Sequence, residues 1–159
     1  MHPVEETALK EIAGDPPKVD VKLLEAIAEC VEAQRDGDGP EGLARGQKVR
    51  VEYDSGFPEG QDGIAIHDDE DEDENVLIVR PSRDRATEWL RILHELAHWL
   101  LMKAGMTHSH GDVWMLALAL GAPESLVRRE RPSCGIALAA ASGLPAWAAF
   151  ARLEMLDAT

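Results

Sequence analysis

The chain has 159 residues, 45% apolar and 29% charged, which is the usage of a folded globular protein and not of a disordered or fibrous one. This length predicts one domain with its own core. No uninterrupted apolar run reaches the roughly 18 to 20 residues of a membrane span, and the N-terminus lacks the basic and apolar regions of a secretion signal. We therefore expect a cytoplasmic protein with no membrane partner.

Acidic residues outnumber basic ones by 30 to 16, giving a formal net charge of -14. The run Asp68 to Glu74 (DDEDEDE) carries half of that excess. Phosphate backbones repel such a chain, which argues against direct binding of nucleic acid. The two cysteines, Cys30 and Cys134, match no CxxC spacing and are expected to be reduced structural thiols.

Two amphipathic segments, Val4 to Ala13 and Val19 to Gln34, predict N-terminal helices because their apolar residues recur at helical spacing. The stretch 36–46 (DGDGPEGLARG) is rich in turn residues and is predicted to be a loop. Short strands are then predicted at Lys48 to Tyr53, Gly63 to His67 and Val76 to Arg80.

The acidic run lies between the second and third predicted strands, which places it in a solvated hairpin loop. The third strand, just before the next helix, is a candidate edge strand for holding an extended peptide; an ordinary strand of a small sheet explains it equally well.

The second half of the chain is predicted to be helical. Helices are expected at Arg85 to Lys103, Asp112 to Leu120, Glu124 to Arg131, Ile136 to Ser142 and Pro145 to about Leu156. Gly143 is expected to end the fourth of these in the left-handed conformation.

The first of these helices contains His94-Glu95-Leu96-Ala97-His98, an HExxH motif. Residues four apart project from one face of a helix, so both imidazoles can reach one metal ion. Glu95 points to the side of that ion, where it can act as general base towards a water bound there. Leu93, Leu96 and Leu100, with Trp89, are expected to pack the opposite face into the core. A pair of ordinary half-buried histidines is the competing interpretation.

A catalytic zinc site needs a third protein ligand and one open position. Asp112 would open the next helix, where the dipole favours an acidic side chain, and is our first choice for that ligand. Its alternative role is a helix cap. His110, two residues earlier, is the alternative ligand, and His108 is expected to be solvated.

The run RILHELAHWLL, followed by DVWMLALALGAPESLVRRE and LAAASGLPAWAAFARLEML, resembles the ImmA/IrrE family of metallopeptidases over about residues 76 to 157. The resemblance implies zinc held by His94, His98 and Asp112, with manganese also accepted by such a site. It also implies a protein substrate, typically a helix-turn-helix transcriptional repressor.

This sequence departs from that pattern in having Asp112 where the family usually has glutamate. The segment HGDVW (110–114) also resembles the third-ligand element of SprT-like proteases, in which the histidine, here His110, is the ligand.

We therefore predict an α+β, zincin-like domain: a small twisted sheet packed on the HExxH helix, with helical N- and C-terminal parts. The expected function is a zinc-dependent metallo-endopeptidase with Glu95 as base. The competing hypotheses are a binding module that retains the peptidase fold without cleaving its partner, and a SprT-like protease. The expected divisions are 1–35 for the N-terminal helices, 47–123 for the sheet and HExxH core, and 124–159 for the C-terminal part, all within one domain of residues 1–159.

Overall fold

In a computed structural model, residues 2–157 are described, and they form an α+β fold. The predicted α+β class is thereby confirmed. The helices are α1 (Pro3–Gly14), α2 (Val21–Ala33), α3 (Gly39–Gly46), α4 (Arg85–Lys103), α5 (His110–Gly121), α6 (Glu124–Glu130), α7 (Gly135–Ser142) and α8 (Ala146–Asp157). The strands are β1 (Arg50–Tyr53), β2 (Gly63–Ile66) and β3 (Val76–Val79), with a 3-10 helix at Glu72–Glu74.

The prediction of a loop over 36–46 is wrong for most of that stretch, which forms α3. Pro40 lies in the first turn, where its missing N–H costs no helical hydrogen bond. Leu43 and Ala44 are fully buried, and α3 packs on α4. Burial of these two side chains therefore outweighs the low helix propensity of the glycines that dominated the sequence pattern.

β3 is the central strand of the sheet, whose order is β1-β3-β2. β1 pairs with it in parallel, with Arg50 opposite Val76, and β2 pairs antiparallel, with Ile64 opposite Ile78. A central, mostly buried position explains the continuous apolar sequence of β3. The strand considered for an edge role is therefore in the middle, and β2 lies at the edge instead.

The acidic run lies in the connection between β2 and β3, as predicted. Its anchor is the buried side chain of Asn75, whose amide oxygen accepts hydrogen bonds from Trp99 Nε1 and from the Asp68 N–H, both at 2.9 Å. The Asn75 amide nitrogen donates to backbone carbonyls of the same loop. One buried amide thus ties a highly charged loop to α4.

α4 has the predicted bounds, and Asp84 caps its first turn by accepting from the Ala86 N–H. It packs on α3, α5, β2 and β3. Leu93, Leu96 and Leu100 are buried as expected, whereas Trp89 is only half-buried. Because neighbours cover the helix on several sides, its buried surface is wider than the single stripe that the sequence suggested.

At the C-terminal end, Gly143 ends α7 with φ of 81°, as predicted. Arg152 in α8 has 0% of its surface exposed, and its guanidinium makes two hydrogen bonds of 2.5 Å to the Glu25 carboxylate of α2. Its Nε also donates to the Ala122 carbonyl at 2.8 Å. Arg152 therefore ties α8 to α2 and to the end of α5, and its charge is not available to a phosphate.

Between residues 2 and 157, no single helix is long and apolar enough to cross a bilayer. Of the described helices, only α7 and α8 taken together have the length and apolar composition of a membrane span, and these two helices meet at a bend of 110°.

Replacing Arg152 by alanine should lower the free energy of unfolding by about 3 to 5 kcal/mol, because Glu25 would lose the partner of a largely buried ion pair. Urea unfolding followed by circular dichroism measures this change. Arg128→Ala is the matched control, since the exposed Arg128–Glu124 pair should contribute less than about 1 kcal/mol. Equal losses in the two variants would contradict this role of Arg152.

Candidate active site

The HExxH residues line a pocket of about 300 Å³ enclosed by α1, β2, α4 and α5. From α4 come His94, Glu95 and His98, and from α5 come His110 and Trp114. α1 contributes Val4, Thr7 and Glu11, and β2 contributes Gly63, Ile64 and Ala65. The motif therefore lies in a cavity that three other elements complete.

His94 and His98 project into this pocket from one face of α4, with their ring centroids 5.0 Å apart. His94 Nδ1 lies 3.0 Å from Glu95 Oε1, while His94 Nε2 is buried without a hydrogen-bond partner. With the proton on Nδ1, the ring donates to Glu95 and leaves the Nε2 lone pair free. A buried nitrogen with a free lone pair is a donor suited to a metal ion.

His98 is held in its neutral form. Burial, together with the neighbouring His94, lowers the pKa of His98 from its ordinary 6.5 to about 4. Near pH 7 its imidazole therefore carries no charge, which is the form that binds metal ions.

Glu95 is only 7% exposed because β2 passes directly over it at Gly63. A Cβ at Gly63 would lie 2.8 Å from Glu95 Cγ and 2.9 Å from the Ile78 carbonyl oxygen. Only glycine permits this approach without displacing one of the two neighbours. No pattern in the sequence indicates that position 63 lies against the motif.

Asp112, our predicted third ligand, is fully buried and is not among the residues that line the pocket. Its Oδ1 accepts from the N–H groups of Lys18 and Val19, both at 2.9 Å, and its Oδ2 accepts from the Ser109 N–H at 2.9 Å. Ser109 Oγ in turn accepts from the Asp112 N–H, which completes a capping box. Both carboxylate oxygens are thus engaged in capping, which is the alternative role considered for Asp112 from the sequence.

Burial alone would raise the pKa of Asp112, but the backbone N–H groups of Ser109, Val19 and Lys18 and the Ser109 hydroxyl outweigh it. The pKa of this carboxyl is therefore lower than usual, and the group stays ionised.

His110, the alternative ligand, lines the pocket at the first position of α5. Its ring centroid lies 6.4 Å from that of His98, and its backbone N–H donates to Asp15 Oδ2 at 3.0 Å. The ring of His108 lies 6.1 Å from that of His98, but its Nδ1 contacts the Met106 carbonyl at 2.8 Å and it does not line the pocket. Of these two histidines, only His110 lines the pocket.

Sequence reasoning missed Glu11 and the polar role of Trp114. Trp114 Nε1 donates to Glu11 Oε2 at 2.7 Å, and the Trp114 ring lies 4.4 Å from that of His94. Glu11 looked like an ordinary solvated residue of an amphipathic helix, and no motif links it to residues more than eighty positions later.

Within the described part of the chain, no three His, Cys, Asp or Glu side chains converge closely enough to form a preformed metal centre. The donor chemistry nevertheless suits zinc: a buried unpartnered imidazole nitrogen, a neutral second imidazole and a third at the same pocket. The residues that line the pocket therefore include donor atoms of the kinds that bind zinc.

No protein-family model matches this chain, and no curated protein matches it significantly.

Gly63→Ala should lower the free energy of unfolding by about 1 to 3 kcal/mol, because the added methyl group must push β2 away from Glu95. Chemical denaturation measures the loss. Gly14→Ala, at a helical glycine with open space around it, should be neutral or slightly stabilising. A Gly63 variant as stable as wild type would show that the contact with Glu95 is not constrained.

Asp112→Asn should lower the free energy of unfolding by about 1 to 3 kcal/mol at pH 7, because an amide nitrogen replaces one charged acceptor. The folded-state pKa of Asp112 is lowered, so its stabilisation is complete above about 3.9 and is lost as the pH falls through the folded-state value. The difference in free energy of unfolding between Asp112→Asn and wild type should therefore become smaller in acid.

The control for this variant is Asp20→Asn. Asp20 caps α2 on the surface, where Asn caps equally well, so a change below about 0.5 kcal/mol is expected. If the stability difference between Asp112→Asn and wild type stayed constant from pH 7 to pH 2, it would contradict the conclusion that Asp112 caps α5 as an ionised carboxylate.

Proposed function

We propose that this protein is a zinc-dependent endopeptidase of the ImmA/IrrE type, in which His94, His98 and His110 hold the metal and Glu95 is the general base. The observation that carries the proposal is His94 Nε2, which is buried without a hydrogen-bond partner on a side chain that lines the same pocket as two further imidazoles and the Glu95 carboxylate. The large majority of buried side-chain polar atoms in native structures have a hydrogen-bond partner.

His110 replaces Asp112 in the proposal because it lines the pocket and Asp112 does not. This choice matches the ligand position of the SprT-like resemblance, whereas the closing helices match the ImmA/IrrE resemblance. Three imidazoles favour zinc over manganese, which prefers oxygen ligands. When bound, zinc would polarise a peptide carbonyl and make a water acidic enough to attack at neutral pH.

Glu95 would accept the proton of the attacking water and pass it to the leaving amine. The His94 Nδ1–H orients its carboxylate, since Nδ1 lies 3.0 Å from Oε1. The cover provided by β2 at Gly63 limits other water at this carboxylate. A carboxylate that is held in one orientation and shielded from other water would accept the proton of the attacking water at one defined oxygen atom.

An extended substrate would lie along β2, the edge strand that borders the pocket. Ile64 and Ala65 line the pocket, and the side of β2 facing away from β3 has no partner strand in the described chain. Free main-chain N–H and C=O groups at such an edge bind a peptide by adding it as a further strand.

The substrate we propose is a basic partner protein in the cytoplasm, such as a helix-turn-helix repressor. Support comes from the family resemblance and from the net charge of -14, because complementary charge speeds the encounter of two proteins.

Purified protein should contain about one zinc per chain, since structural and catalytic zinc sites bind a single ion through three or four ligands. His94→Ala, His98→Ala and His110→Ala should each lose it, whereas Asp112→Asn should retain it. Inductively coupled plasma mass spectrometry measures the content. Loss of zinc from the Asp112 variant but not from the His110 variant would overturn our choice of third ligand.

Glu95→Gln should keep the zinc but reduce cleavage of fluorescein-labelled casein by about 100- to 10,000-fold, because the base is lost. Glu70→Gln, in the exposed acidic loop, is the control with the same charge change and should cleave normally. An absence of cleavage in both zinc-loaded wild type and zinc-loaded Glu11→Gln would favour the binding module, and undiminished cleavage by Glu95→Gln would refute the assigned base.

A further inference from the structure

α1 crosses the pocket with three side chains from one helical face. Val4, Thr7 and Glu11 follow the three- and four-residue spacing of a helix, and all three line the pocket. Glu11 is the only one of them with a charge, and it comes from a segment that the proposed peptidase mechanism does not use. Its side chain is 31% exposed, so Glu11 is partly buried at the pocket.

The carboxylate of Glu11 lies between two of the proposed zinc ligands. Its Oε2 is 3.5 Å from His110 Nδ1 and 3.9 Å from His94 Nε2. In a tetrahedral zinc site with bonds of about 2.1 Å, neighbouring donor atoms are separated by about 3.4 Å. The two observed separations are thus only slightly wider than the edges of a zinc coordination tetrahedron.

We propose that Glu11 is a fourth ligand of the zinc centre formed by His94, His98 and His110, so that α1 holds the centre in a closed state. The inference rests on the proposed function. A centre with four protein ligands is closed, while catalysis needs one position open to water. The Glu11 carboxylate therefore has to leave before the site can act on a substrate.

Trp114 would keep Glu11 in place as a ligand. Its Nε1–H donates to Glu11 Oε2 at 2.7 Å, which fixes the carboxylate as outer hydrogen bonds fix the ligands of metal sites. The same bond joins α1 to α5, the helix that carries His110.

The attachment of α1 suits a segment that can be displaced. Of its twelve residues only Val4 and Ala8 are buried. Beyond its end, the Asp15 carbonyl accepts from the Gly111 N–H at 2.9 Å and stays tied to α5. A helix with few buried apolar side chains opens at lower cost than the core helices do. Binding of a partner to α1 would thus release Glu11 while the rest of the fold remains intact.

The test compares wild type with Glu11→Gln, in which the amide oxygen still accepts from Trp114 but no carboxylate remains. Zinc affinity, measured by competition with a fluorescent chelator, should fall at least about tenfold in the variant. With cobalt in place of zinc, acetohydroxamate should change the visible spectrum of the variant but not that of wild type, because only the variant has a free coordination position.

Glu6→Gln, on the exposed side of the same helix, is the matched control and should behave as wild type. Unchanged zinc affinity in Glu11→Gln, or a wild-type cobalt spectrum that responds equally to acetohydroxamate, would overturn the role of Glu11 and leave the proposed peptidase intact. Wild type that binds no zinc at all would instead refute the proposed function, and this inference with it.

Discussion

The arrangement of the pocket depends on one buried carboxylate, that of Asp112. It accepts N–H groups from Lys18 and Val19 in the connection between α1 and α2, and from Ser109 at the start of α5. These bonds satisfy three backbone donors of the two segments. They also fix α5 against the N-terminal segment, and this attachment brings both His110 and Glu11 to the histidines of α4.

The side chains that α4 turns to the pocket are mainly polar, although most of the buried side chains of this helix are apolar. Burial favours the neutral forms of imidazoles, as the pKa of about 4 at His98 illustrates. The same burial leaves His94 Nε2 without a partner. Buried side-chain polar atoms usually have a hydrogen-bond partner, and in the proposed function this nitrogen is a zinc ligand. In the proposed closed state, Glu11 supplies the fourth donor of a tetrahedral zinc centre, beside the three histidines.

The glycine at position 63 and the tryptophan at position 114 show how the surroundings of the motif are built from separate parts of the chain. Gly63 lets an edge strand approach Glu95, and Trp114 holds Glu11 by a hydrogen bond. Neither residue belongs to a short motif. Each acts through a contact whose partner lies many residues away, so single-sequence patterns contain no signal for it.

The sequence by itself determined the helix of the HExxH motif, its bounds, the three strands to within two residues, the hairpin position of the acidic run and the turn at Gly143. These features depend on local periodicity and turn chemistry, which neighbouring residues encode. Only the tertiary structure decided that 39–46 is helical and that β3 is the central strand, with β2 at an edge. It also decided that Asp112 caps α5, whereas His110 and Glu11 line the pocket. Each of these depends on burial and on hydrogen bonds between distant segments, which no local pattern records.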